Sequence, residues 1–117
     1  MAKFSLIESI KGWLKSTKRA SSGNWAGWVD GSVTKNKRKA VAFENGQVVC
    51  FDDWGGEFIL EKEDVLSVEC IAQNVKVPHG DRSFVCNTFA VTFANGEYGT
   101  FNIFLEKVAE FNILLKK

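Results

Sequence analysis

Phe89-Ala90-Val91-Thr92-Phe93-Ala94-Asn95-Gly96-Glu97-Tyr98 is the stretch on which the fold is decided. Phe89, Val91 and Phe93 alternate with Thr88, Ala90 and Thr92, the period of a strand with one buried face. Asn-Gly then follows and a second apolar run begins, which is the strongest short hairpin signal a sequence carries. The same grammar occurs upstream: Ala40-Val41-Ala42-Phe43 and Val48-Val49-Cys50-Phe51 flank Glu44-Asn45-Gly46-Gln47. An Asn-Gly pair there suits a type I′ turn, whose central residues both need positive φ.

Further strands follow from these two hairpins. Asp53-Trp54-Gly55-Gly56 turns the chain into Glu57-Phe58-Ile59-Leu60. A longer strand comes after Glu61-Lys62-Glu63-Asp64, with Leu66, Val68, Cys70 and Ala72 expected on one side. Pro78-His79-Gly80-Asp81 turns that strand back toward Ser83. Six or seven such strands joined by short turns predict an antiparallel sheet system. The chain closes on a helix from Leu105 to Lys117, where Phe104, Val108, Phe111 and Leu115 mark one buried stripe. Ile113 and Leu114 fall outside that stripe, where either the N-terminal helix covers them or they contact another chain.

At the other end, Ser5-Leu6-Ile7-Glu8 has the form of a capping box. Phe4, Leu6, Ile7, Ile10, Trp13 and Leu14 gather in one half of a helical projection, so residues 1–19 read as an amphipathic helix. Ala20-Ser21-Ser22-Gly23-Asn24 is the linker to a domain spanning 25–117. The fold class is therefore α+β and mainly β.

From Trp25 onward the order of elements resembles the pleckstrin-homology-like superfamily, in particular its small bacterial members related to GRAM domains. The likeness rests on Val65-Leu66-Ser67-Val68 after the acidic turn, on Asn95-Gly96-Glu97-Tyr98-Gly99-Thr100-Phe101, and on the closing helix. It implies a bent barrel of about seven antiparallel strands, with the C-terminal helix plugging one open end. The N-terminal helix is extra to that pattern. The fold hosts lipid, peptide and protein binding alike, so function must come from the site.

Composition limits the choices. With 117 residues the chain fits one domain, and 13% aromatic residues exclude a disordered one. No apolar run approaches a membrane span or a signal-peptide core, so a cytoplasmic protein is expected. Cys50, Cys70 and Cys86 show no CxxC spacing and read as reduced, buried thiols. The net charge of +1 hides a balance of +7 over residues 1–40 and −6 over residues 41–117.

Catalysis finds little purchase here. The chain has one histidine, His79 in a turn, and no partner set that would make Cys86 a nucleophile. The acidic groups Asp52, Asp53, Glu57 and Glu61, Glu63, Asp64 lack calcium-loop spacing, so no metal and no cofactor is expected. What remains is a non-catalytic interaction module, with a protein partner or self-association as its expected business. Trp25, Trp28 and Trp54 lie beside Gly or Asn and suit contact anchors. The basic run Lys35, Lys37, Arg38 and Lys39 suits phosphate. An anionic membrane surface, met by the N-terminal helix and that loop, is the alternative partner, and a small-molecule ligand is a third. Nucleic acid is not expected, since Lys and Arg are not interleaved with aromatics.

Overall fold

The computed structural model describes residues 24–52 and 56–116. The helix expected over 1–19 and the Trp54 turn lie outside the described residues. The described chain is mainly β: β1 (Trp25–Asp30), β2 (Lys39–Glu44), β3 (Gln47–Phe51), β4 (Glu57–Leu60), β5 (Val65–His79), β6 (Arg82–Phe93) and β7 (Tyr98–Phe104). A 3₁₀ turn at Leu105–Lys107 leads into the helix α1 (Val108–Leu115). All seven strands join one antiparallel sheet in the order β4-β3-β2-β1-β7-β6-β5.

The sheet must curl. A flat sheet of seven strands is about 29 Å across at the usual spacing of about 4.8 Å. Yet β4 and β5, its opposite edges, are joined only by Glu61–Asp64. Even fully extended, such a link covers about 18 Å. The edges therefore approach one another, and Leu60 and Val65 enter the same core cluster. The expected bent barrel needs correction in one respect: the sheet is not closed, because no ladder joins β4 to β5. β4 has four residues and β5 has fifteen, bent by three register shifts, so the two do not keep a common line. Side chains such as Leu60 and Val65, rather than a ladder of hydrogen bonds, meet beneath the seam.

The concave face carries the core. Val41, Phe43, Val48, Cys50, Phe89, Val91, Phe101 and Ile103 surround Phe111 and Leu115 of α1. The first hairpin turn is of the expected kind, with Asn45 at φ 53° and Gly46 at φ 73°. The second differs: only Gly96 has positive φ, and its N–H donates to Phe93 O at 3.0 Å while Phe93 N–H donates to Glu97 O at 2.8 Å. Three residues, Ala94-Asn95-Gly96, thus make a turn with a glycine bulge, the next most common hairpin solution.

Bulges also correct the expected faces. The shift between Val65 and Ser67 puts Val65 in the core and leaves Leu66 65% exposed. Cys70 is likewise exposed, whereas Cys50 and Cys86 are buried; all three thiols are free. Phe104 belongs to the outer face at the end of β7 instead of to the helix stripe.

A second, smaller cluster covers the outer face of β1. β6 begins pairing with β7 only at Cys86, so the tip of the β5–β6 hairpin overhangs. Its Val77 and Phe84 pack on Trp28, Phe104 and Trp25. Residues three apart on a regular strand face opposite sides. The register shift between Trp25 and Gly27 brings Trp25 and Trp28 to the same side, where their rings meet edge-on at 4.8 Å. Gly27 makes this possible with φ 145° and a backbone so close to Asn102 that a side chain has no room.

Candidate functional site

The seam between the two sheet edges forms a groove of about 510 Å³. Phe58, Leu60, Phe93 and Val33 give it an apolar floor, and Glu61, Asp64 and Glu97 stand on its rim. Main-chain bonds hold the rim in place. Asp64 N–H donates to Glu61 O (3.0 Å), and Ala94 N–H donates to Asp64 O (2.7 Å). Glu97 N–H donates to Asn95 Oδ1 (2.9 Å), and the Ser32 hydroxyl accepts from Tyr98 N–H (2.8 Å). A preformed concavity with an apolar floor and a few placed charges is what binding sites generally share.

At Leu60 and Glu61 this groove adjoins a second hollow of about 350 Å³, bounded by Gly46, Gln47, Lys62, Glu63, Ile113 and Leu114. Lys62 Nζ donates to Ile113 O at 3.2 Å across it. Ile113, singled out from the sequence, is 70% exposed at its edge. Leu114 is half-buried and packs against the core.

β4 supplies main-chain groups as well. Asp52 N–H donates to Gly56 O (2.9 Å), so Gly56 turns its carbonyl toward β3. By alternation Phe58 and Leu60 do the same, and Ile59 directs its N–H and C=O away from β3 toward the seam. The two sheet edges are treated differently: β5 is interrupted by three register shifts and carries Pro78, whereas β4 pairs with β3 in unbroken register.

The basic run occupies a separate place. Lys35, Lys37 and Arg38 are exposed on the turn before β2, where Lys35 and Asn36 both have left-handed backbone (φ 57° and 60°). Lys39 leaves this group, its Nζ lying 5.5 Å from the centre of the Phe58 ring. Arg38, Lys39 and Asp52 meet Trp28 and His79 around a smaller cleft of about 240 Å³. His79 reaches it from the hairpin tip, 5.4 Å from Trp28 and 5.6 Å from Trp25. Trp28 is buried and the Trp25 indole N–H is bonded to Gly27 O (3.0 Å), so both indoles are structural before they are contacts.

Burial pushes the Cys50 thiol from 9.0 up to about 12, against the weaker opposing pull of Lys39. Burial, with help from Glu106, pushes Cys86 up to about 11. Both remain protonated near neutrality and are poor nucleophiles. Iodoacetamide at pH 8 should therefore alkylate Cys70 alone in the folded chain and all three thiols in denaturant, as read by mass spectrometry. Labelling of Cys50 under native conditions would contradict the packing of β3. These thiols also tie stability to pH. The unfolded chain loses their protons first, so their contribution is full below pH 9 and erodes as pH rises toward about 12.

No group of three or more His, Cys, Asp or Glu comes together as a metal-binding set among the described residues. No described helix is long and apolar enough to cross a membrane. No family model, curated protein or solved structure matches the chain.

Sequence reasoning missed the seam. Glu61–Asp64 reads as an acidic turn and Asn95-Gly96-Glu97 as a hairpin turn, each on its own. No local signal links them, because the sheet order that puts β4 and β5 at opposite edges is set by long-range pairing.

Proposed function

We propose that this chain is a non-catalytic interaction module of the pleckstrin-homology-like kind, which receives a segment of a partner protein in the groove between β4 and β5. One observation carries the reading: the sheet stays open at a preformed groove where an unbulged edge strand, an apolar floor and charged rim residues coincide. The resemblance to the superfamily draws on seven antiparallel strands with a C-terminal helix against their concave face. Exposed sheet edges beside side-chain pockets are a recurrent way of holding extended peptides.

Peptide display from a random dodecapeptide library, followed by amide chemical-shift mapping on the full chain, tests this. Selected peptides should perturb residues 58–61 and 93–97. Perturbation confined to residues 35–39 and 79, or failure to select any peptide, would overturn it. The exposed turn bearing Lys35, Lys37 and Arg38 favours a second reading, contact with an anionic membrane. Sedimentation with phosphatidylserine vesicles separates the two, since membrane contact should be lost on charge reversal at Lys35, Lys37 and Arg38 and the peptide groove should not notice it.

A further inference from the structure

Taking the seam as the contact surface, we infer that its partner is an extended, lysine- or arginine-bearing segment that lies along β4 with alternate side chains apolar. Four observations converge on that chemistry. The groove continues past Leu60 into the second hollow, so its occupant is elongated rather than compact. Ile59 offers an N–H and a C=O toward the groove, the pair that an added strand would use. Phe58 and Phe93 supply an apolar floor for side chains on one side of such a strand. Glu61, Asp64 and Glu97 then face the flanking positions, where they attract cations and repel acids.

The same rim argues against a second copy of β4. Two copies paired edge to edge about Ile59 would place Glu57 and Glu61 of each against those of the other. Like charges directly across a ladder are unfavourable, and a two-fold contact cannot escape that juxtaposition. A basic segment instead meets the carboxylates of Glu61, Asp64 and Glu97 along the first groove.

Three octapeptides test the inference, alternating valine with lysine, with glutamine or with glutamate. Each is titrated into the full isotope-labelled chain, with amide shifts read at Ile59, Leu60, Glu61, Asp64 and Glu97. The lysine peptide should bind tightest and weaken with added salt. The variant E61Q/D64N/E97Q, which alters exposed or half-exposed side chains only, should weaken it about tenfold, as expected for three solvated charge pairs. Equal binding of the lysine and glutamine peptides in the groove would overturn the basic partner and leave the seam as the contact surface. Absence of groove shifts with all three peptides would remove both. If the triple variant unfolds, E61Q alone is read for a proportionate loss.

Discussion

Gly27→Ala is expected to lower stability by at least about 3 kcal/mol, combining backbone strain of about 1–3 kcal/mol with displacement of a neighbouring strand. A Cβ at this position would lie 1.9 Å from Asn102 O and 2.9 Å from its carbonyl carbon. Both are main-chain atoms of β7, the strand that joins the two halves of the sheet through β1. No side chain can swing aside to relieve the contact, and φ 145° is itself hostile to alanine. Gly46→Ala is the comparison, since a Cβ there meets nothing within 4 Å and only its φ of 73° is strained. That change should cost about 1–2 kcal/mol. Thermal unfolding by circular dichroism should place the Gly27 variant about 12 °C or more below wild type, at about 4 °C per kcal/mol. Equal losses from the two substitutions would mean that β1 and β7 are not pressed together as described.

How much of this was legible beforehand depends on which forces act locally. Asn45-Gly46 announced its own turn, because backbone chirality makes that dipeptide favour positive φ whatever surrounds it. Phe89, Val91 and Phe93 announced their face by period alone, and all three are buried. Bulges are another matter. Leu66 looks like a core residue and is exposed, because the register shift between Val65 and Ser67 turns it away from the core that Val65 and Val68 share. Trp25 and Trp28 share a face for the same reason, through a glycine whose requirement is set by Asn102, seventy-five positions along the chain. The seam is less legible still. Glu61 and Asp64 acquire Glu97 as a neighbour only after seven strands have taken their order. Charge arithmetic did locate the acidic body of the chain, but a sum along the sequence says nothing of which carboxylates share a rim.

Phe111→Ala should be the costliest truncation in the core, at about 3–5 kcal/mol. Phe111 is 0% exposed, and its ring lies 4.9 Å from Phe89, 5.3 Å from Phe101 and 6.4 Å from Phe43. Those three rings come from β6, β7 and β2, on both sides of β1. One side chain of α1 therefore bridges the two halves of a sheet that hydrogen bonds leave unclosed. In a closed barrel the ladder itself would resist opening, and the loss would be confined to a cavity. Here the cavity also frees the edges, so the variant should lose the groove along with stability. Two measurements separate these effects. Guanidinium unfolding gives the total loss, with Ile113→Ala, two positions on and largely exposed, expected within about 0.5 kcal/mol of wild type. Native-state hydrogen exchange then shows where protection goes: amides of α1, β4 and the first residues of β5 should exchange fastest relative to wild type. Exchange that rises evenly over all seven strands would mean that α1 fills the core without holding the seam, and the groove would have to owe its shape to the Glu61–Asp64 link alone.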